Sequence, residues 1–559
     1  MAWRSRHATA SAIAAGKPGL SVALPTLGVI LALGLACVAL LLTAPVAGDF
    51  WNQDAPRHAL NGVFIRDFVA AHPIADPMRW AIDYYLKRPA LTIVFYPPLF
   101  YCVEAIAFAL FGVSQFVAQA TVTAFIGLLA GASYLLSRTF LPRWSAVGAS
   151  LLVIAAPEAA LWGRQVMLDL PAYALIVTSA CFLARYLEND RPRAIYLTAL
   201  FLVAAIYTKY NAGFVAPAFA AAFVMARGKA AWRDGHAMAA AGAAAIGLVP
   251  AILVMLTFGA KNIDSVSGLR GALPLDSLAA WLFYLEALPS QLGWLTLVLA
   301  AGGLVVISTR ALNQRDRWGY GLLLAWLLFG YLIFSAISLK EPRDTIMVLL
   351  PLAIAAPVLL LRALPRPLGE AAGLVLGAGT LAYTLLFCPV PRLDGYEQIA
   401  AYLAKNVPPN GVVVYSGYRD ANLVFDLAAI PGRSDIAVIR TDKLLLSVPF
   451  GEPRRGVKQA SYDQAAIAAL LRNLGASYFV VQPGFWSAFG VMARFGAVIG
   501  SQDYEKIQHF DVAGTFSDKD NKAGVDVFRP TYKMTEHARQ LDFDMPITGQ
   551  RFQGAANPK

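Results

Sequence analysis

Apolar runs of about the length of a bilayer crossing follow one another from Leu24 to Cys388, and they decide the fold class before any motif does. At about 1.5 Å of rise per residue, roughly twenty apolar residues cover a hydrocarbon core of about 30 Å. The runs lie near 24–45, 116–138, 143–160, 170–187, 194–207, 211–226, 237–258, 291–309, 318–338, 345–361 and 368–388, bounded by Arg, Lys, Pro and Gly. The composition agrees: of 559 residues, 58% are hydrophobic and 14% charged, where soluble domains average about a quarter charged. The chain reads as a polytopic α-helical membrane protein of about 11 to 13 transmembrane helices.

In a soluble protein a net charge of +11 would point to nucleic acid. Here the basic residues sit in short loops between apolar runs, so membrane topology accounts for them and no nucleic-acid partner is implied. Arg4, Arg6 and Lys17 precede the first run, which is too long for the h-region of a signal peptide and so reads as an uncleaved first helix. By the positive-inside rule residues 1–23 are cytoplasmic, as are the basic loops at 137–144, 188–193, 226–236, 310–317 and 362–367. The other face then receives residues 46–115, 162–169, 207–211, 259–290, 339–344 and everything after 388. That bookkeeping requires the segment 96–113, which opens on two prolines and contains Glu104, to lie at the interface rather than cross. The amphipathic segment 275–289 likewise lies along the outer surface. Cys37, Cys102, Cys181 and Cys388 all fall in apolar runs and read as small core residues, not a disulfide framework.

From Pro389 the composition becomes soluble. "YEQIAAYLAKNV" and "DQAAIAALLRNLG" have helical periodicity, while "GVVVYSG" and "SYFVVQP" read as strands, so residues 389–559 form a C-terminal soluble α/β domain on the outer face. It carries no phosphate-binding Gly loop, metal-spaced His/Cys set or nucleophile elbow.

The polar residues assigned to the outer face are Asp49, Asp54, Arg57, His58, Arg164, Asp169, Lys209, Lys340, Arg343 and Asp344. Acids for proton or metal work and cations for an anionic group therefore share one side of the membrane. Asp54 has Arg57 one helical turn later, where a guanidinium could orient it; an ordinary interfacial pair has the same spacing. Asp49 and Asp169 stand where a carboxylate could cap a helix N-terminus, and Asp169 also shares the depth of Asp54. Lys209 lies between two short apolar segments and reads as a lipid-headgroup anchor or a snorkelling cation. Lys340 and Arg343 could hold a phosphate between them, and a lone interfacial His58 is as readily structural.

Five segments, taken in order, resemble the integral-membrane glycosyltransferases of the GT-C class, in the branch of protein O-mannosyltransferases and lipid A aminoarabinose transferases. They are "QDAPRHAL", similar to that family's Asp-Glu-x-Arg-Tyr signature; "YPPLFYCVEAIAFALFGVS", similar to its Pro-Pro-Leu amphipathic segment; "RQVMLDLPAYAL"; "TKYNAG"; and "LKEPRDTIMVLLPLAIAAP". The resemblance covers the membrane domain, 24–388, and implies transfer of a sugar from a polyprenyl-phosphate or dolichyl-phosphate carrier to an extracytoplasmic lipid, glycan or protein acceptor, with inversion. It makes Asp54 the catalytic base and puts Arg57, Lys209 and Arg343 on or near the positions that hold the lipid phosphate; the residues themselves add Asp169 as a second catalytic acid and His58 and Lys340 as phosphate ligands. The family's second acid is Ala55 here, so a divalent metal of the Mg or Mn type would need Asp54 together with Asp49 or Asp169. Ala-rich spans fit a bacterial inner membrane with a periplasmic C-terminal domain. The rival reading is a transporter or flippase of a lipid-linked sugar, which predicts charges near the midplane and paired broken helices.

Overall fold

The computed structural model describes residues 20–93, 95–267, 272–313, 317–448, 457–516, 524–533, 540–545 and 550–555. Most of the N-terminal segment 1–23, and parts of the loops 259–290 and 310–317, lie outside the described residues. The first apolar run is α1 (Leu20–Thr43), and the polar stretch after it holds α2 (Ala55–Ala71), α3 (Pro77–Lys87) and α4 (Leu99–Phe111). Then follow α5 (Gln115–Ser137), α6 (Arg143–Ala155), α7 (Pro157–Gly163), α8 (Asp169–Asn189) and α9 (Pro192–Ile206). The second half of the bundle comprises α10 (Ala216–Arg227), α11 (Gly235–Ser267), α12 (Leu278–Leu292), α13 (Trp294–Asn313), α14 (Arg317–Ser335), α15 (Leu350–Ala363) and α16 (Arg366–Phe387).

Among the described residues, eight helices are long and apolar enough to cross a membrane, and two bent pairs bring the number to ten. The chain is a multi-pass integral membrane protein. The remaining apolar run, 194–207, is α9, a helix of 15 residues packed against α8 and α11. The segment 96–113 forms only the 13-residue α4, and Glu104 faces inward against Gly62 of α2, where it is fully buried. α8 is the innermost span, 83% buried, whereas the span of α11 is 11% buried and exposes its apolar side chains along its length.

Both bends fall at prolines. α6 meets α7 at 61°, with Pro157 opening α7, and the 3₁₀ turn Pro342–Val348 meets α15 at 57°, with Pro351 in its first turn. Proline lacks the N–H that would continue the preceding helix, yet suits the first turn of the next. The two short pieces meet, the Arg343 guanidinium of the 3₁₀ turn lying over the Trp162 ring of α7 at 4.8 Å.

α6 and α16 approach through glycine. Gly369, Gly373 and Gly377 recur every fourth residue on α16, and a Cβ at Gly148 of α6 would overlap the Gly373 carbonyl. Small residues let membrane helices pack backbone to backbone, where dispersion and weak Cα–H contacts replace the hydrophobic drive absent in lipid. Gly148→Leu is expected to destabilise the protein by about 3 kcal/mol or more. Gly131→Leu on α5, where a Cβ meets nothing within 4 Å, should leave it unchanged. Thermal unfolding of the two variants in detergent, side by side with wild type, measures the difference.

The C-terminal domain is α/β. Its five-stranded sheet uses β1 (Val412–Ser416), β2 (Ala437–Arg440), β3 (Tyr478–Val481), β4 (Tyr504–Phe510) and β5 (Val525–Pro530), in the order β2-β1-β3-β5-β4. The first three are parallel, and β5 and β4 add antiparallel. α17 (Tyr396–Asn406), α18 (Asp420–Ala429), α19 (Thr441–Leu445), α20 (Gln464–Leu474) and α21 (Gly490–Ile499) connect and cover them. β1 is wholly buried and β3 is buried at Phe479 and Val480, as expected of central strands in a parallel sheet covered on both faces.

The domain sits directly on the polar loop after α1. Asn422 donates to the Phe50 carbonyl at 2.9 Å, Arg88 to Ser434 at 2.8 Å, and Phe50 meets Phe425 edge-on at 5.1 Å. A terminal hairpin, Gln540–Met545 with Gln550–Ala555, reaches back to α3, where Phe552 packs on Tyr85.

Candidate active site

Asp54 immediately precedes α2. Its side chain makes no cap bond to the helix, its backbone N–H being held instead by Asn52 at 2.8 Å, so the carboxylate is left to the cavity. Arg343 approaches it at 3.4 Å. The guanidinium also pairs with Glu341 and lies over the Trp162 ring at 4.8 Å. Its Nη1 is buried without a hydrogen-bond partner. Arginine has five donors in a planar fork matched to carboxylate and phosphate, so an unfilled buried position beside a carboxylate is an open place for an anionic oxygen. Lys209 pairs with Asp169 at 2.6 Å and has Asp344 at 3.8 Å. The sequence-predicted residues Asp54, Asp169, Lys209 and Arg343 are thus gathered by the α2 N-terminus, the start of α8, the loop before residues 210–215, and the 3₁₀ turn 342–348.

The remaining candidates sit elsewhere. Arg57 does not pair with Asp54: its guanidinium turns to Asp420 of the C-terminal domain at 2.7 Å, the stronger partner because that carboxylate is buried. Lys340 does not reach the site. Its ammonium caps the end of α14, donating to the carbonyls of Ser335 at 2.8 Å, Ile337 at 2.7 Å and Phe334 at 3.4 Å, and those three bonds use all its donors. His58 is buried, hydrogen-bonded through Nδ1 to the Tyr101 hydroxyl at 2.8 Å and set edge-on to Tyr96. Burial pushes its pKa down to about 4, so at neutral pH it is uncharged and is a poor partner for phosphate. Arg164, buried, bonds the carbonyls of Ala160 and Cys388 and fastens the end of α7 to the end of α16.

Asp49 is the clearest correction. It accepts from the backbone N–H of Tyr396 at 2.7 Å and of Glu397 at 3.0 Å, capping α17 from 347 residues away. A cap was the expected role, but its helix belongs to the other domain. With Asp49 so occupied and Asp169 held by Lys209, Asp54 has no second carboxylate beside it free to share a divalent ion. Among the described residues no group of three or more His, Cys, Asp or Glu is placed to hold a metal. The proposed Asp54, Asp49 and Asp169 set does not fit one.

The Asp49 carboxyl also shares a hydrogen bond with Asp426 of α18, and burial of the two acids together raises both pKa values, Asp49 to about 6. An acid whose pKa is higher folded than unfolded contributes stability that is present at low pH and lost as pH rises through the folded value. Docking of the C-terminal domain should therefore weaken from about pH 4 to above pH 6. Asp426→Asn keeps the shape and donates to Asp49 without a second negative charge. It is expected to raise stability at pH 8 by about 1–3 kcal/mol and to flatten the pH dependence, read as thermal midpoints at pH 5 and pH 8.

From Asp54 a cavity of about 450 Å³ opens between the α2–α4 loop and the C-terminal domain. Asp54, Arg57 and Tyr96 line it from below, and Asp420, Arg440, Asp442 and Lys443 from above. Arg440 pairs with Asp420 at 2.6 Å and Asp442 at 2.5 Å, and with Arg57 it forms a four-member chain across the domain boundary. None of these upper residues is recoverable from a local motif. Only Asp420 carries a positional signal, following the predicted strand "GVVVYSG"; Arg440, Asp442 and Lys443 follow β2, which the sequence did not announce.

This arrangement of a bent-helix bundle, an interfacial α2–α4 segment and an apical α/β domain recurs in solved structures. Over 92% of this chain and 99% of the other, it superposes on ArnT from Cupriavidus metallidurans bound to undecaprenyl phosphate, with a TM-score of 0.63 at 15% identity. The chain has the GT-C fold. The arabinofuranosyltransferase AftD from Mycobacteria matches with a TM-score of 0.54 at 16% identity, over 91% of this chain and 40% of that one. The oligosaccharyltransferase of Archaeoglobus fulgidus matches with 0.53 at 12% identity, over 89% and 75%. Residues 96–255 match the model of the dolichyl-phosphate-mannose-protein mannosyltransferase family. By sequence alone, no curated protein matches the chain. Within this fold Asp54 lines the cavity beneath the C-terminal domain and meets Arg343, while Lys209 meets Asp169 and Asp344.

Proposed function

We propose that the protein is a membrane glycosyltransferase that takes a sugar from a polyprenyl-phosphate carrier and passes it to an acceptor hydroxyl or comparable nucleophile on the extracytoplasmic face. The observation that carries this reading is the pairing of an uncapped Asp54 carboxylate, which lines the cavity, with an Arg343 guanidinium that has a buried nitrogen without a hydrogen-bond partner. Asp54 accepts the acceptor's proton as its oxygen attacks the anomeric carbon. The bond from that carbon to the phosphate oxygen breaks on the opposite side, inverting the centre. Arg343 and Lys209 then meet the charge that develops on the departing phosphate. His58 and Tyr101 brace the start of α2 and so fix the aim of Asp54, with no charge of their own. The match to ArnT with its undecaprenyl phosphate, and to the mannosyltransferase family model, supports a lipid-linked donor. Six basic loop segments on one side support a cytoplasmic N-terminus and a periplasmic apical domain in a bacterial inner membrane.

The test is transfer of labelled sugar from undecaprenyl-phosphate-linked donors, by membranes with and without the protein. Label should pass into a lipid, glycan or protein fraction only when the protein is present. Intact donor crossing the bilayer of proteoliposomes, with no label transferred, would instead establish the transporter.

A further inference from the structure

Three groups of two kinds hold the Arg343 guanidinium: the carboxylates of Asp54 and Glu341, and the Trp162 ring, whose centroid lies 4.8 Å from the guanidinium carbon. Water competes for both carboxylates, which are only partly buried, so ion pairing alone fixes the fork loosely. The indole adds what the carboxylates lack. Its negative face attracts a cation and covers one side of the planar fork, which leaves the edge for an incoming oxygen. Nη1, buried and without a hydrogen-bond partner, is on that edge.

Trp162 is itself held. Its Nε1 donates to Glu158 at 2.7 Å, and among the described residues the indole is the one hydrogen-bond partner that Glu158 has. The two residues stand four apart on α7, hence on one face of that helix. α7 owes its direction to the 61° bend at Pro157, and it packs against the 3₁₀ turn that carries Arg343. Among the described residues no cation forms an ion pair with Glu158, although the carboxylate is half-buried beside a site that holds Arg343 and Lys209. A carboxylate spent on an indole N–H fixes the rotation of the ring. By drawing on that proton it also leaves more electron density on the ring face.

The ring contacts continue from Trp162 into the other domain. Trp51 lies 5.9 Å from Trp162, and Phe516 of the C-terminal domain lies 6.1 Å from Trp51. Arg419 fastens the same point by donating to the Trp51 carbonyl at 2.5 Å. Trp51 precedes Asp54 by three residues, so one series of rings supports the segment of the carboxylate as well as the guanidinium that meets it.

We propose that Trp162 and Glu158 are positioning residues for the transfer step: Glu158 sets the Trp162 ring, and the ring sets the Arg343 fork toward the phosphate oxygen. Their role in transfer rests on the transferase reading; their action on Arg343 does not. Neither touches a reacting atom, so each acts only through the next. That serial arrangement distinguishes positioning from mere packing, because removing the last member must silence the others.

The full-length protein in phosphatidylcholine nanodiscs is assayed two ways, by kcat for transfer of labelled sugar from undecaprenyl-phosphate-linked donor and by affinity for undecaprenyl phosphate. Trp162→Leu is expected to lower kcat about tenfold and to weaken undecaprenyl phosphate, whereas Trp162→Phe, which keeps an aromatic face, recovers part of both. In an Arg343→Ala background Trp162→Leu should cost nothing more. Glu158→Ala should lower kcat about threefold, Glu158→Gln should recover most of that because its carbonyl still accepts from the indole, and Glu158→Ala should add nothing to Trp162→Phe, which has no N–H to hold. The Glu158 and Trp162→Phe pair carries the same test if Trp162→Leu lowers the thermal midpoint. Wild-type kcat and affinity in Trp162→Leu overturn the proposal, and so does an equal loss with and without the Arg343 side chain, which would make the ring a packing element. A wild type that transfers no sugar, but in which Trp162→Leu weakens undecaprenyl phosphate only when Arg343 is present, supports the positioning and sinks the transferase reading alone.

Discussion

Asp54→Asn is expected to lower sugar transfer at least about a hundredfold while expression, thermal stability and donor binding stay at wild-type levels. Stability should hold because the Asp54 side chain caps nothing and is 40% exposed, so the amide forfeits no buried bond. Donor binding should hold because Asn still offers a carbonyl oxygen to Arg343. What the amide cannot do is accept a proton in the transition state. The loss must therefore appear in kcat, with the KM for donor nearly unchanged. A variant that transfers at the wild-type rate removes Asp54 from the base role. One that loses donor binding instead makes it a positioning residue.

Arg343→Ala is expected to cost about a hundredfold to a thousandfold in kcat, the range measured when one preorganised donor to a developing charge is removed. Its two partners, Asp54 and Glu341, are 40% and 41% exposed, so water can solvate them once the guanidinium is gone and the fold should survive. Arg343→Lys keeps the charge but neither the fork nor the broad face lying over Trp162, and it should recover only part of the rate. Full activity in Arg343→Lys would mean that a point charge suffices and that the unfilled Nη1 position is incidental. Both variants should be measured with the donor saturating, so that a binding defect is not read as a chemical one.

What could be seen in advance follows the range of the interactions. Apolar runs are local, and most lie within a few residues of the helices they became, but α11 runs on to Ser267 from a run ending at 258, and the run 143–160 is broken by the bend between α6 and α7. The four C-terminal segments with clear periodicity became α17, β1, α20 and β3. α18 and β4 were not foreseen, because β4 alternates exposed polar residues and α18 is buried nearly all round, leaving no face to detect. The site was legible wherever charge stood against an apolar background. Asp54, Asp169, Lys209 and Arg343 qualify on that ground and do converge. The same criterion also selected Lys340, which caps its own neighbouring helix, and Asp49, which caps a distant one; sequence cannot say which way a long side chain turns. Arg57 was paired by its spacing to Asp54, and only the fold brings in Asp420, 363 positions away.

That distance has a consequence for how the molecule is made. The polar stretch after α1 is made early in synthesis carrying Asp54 and Arg57, but the groups that close over it, Asp420, Arg440 and Trp486, come from the last third of the chain. Domains generally fold in the order they emerge from the ribosome. A nascent chain therefore holds Asp54 without the roof of the cavity. A chain truncated before the C-terminal domain would keep the membrane helices and Asp54 but lack Asp420, Arg440 and Trp486, and with them the upper wall of the cavity.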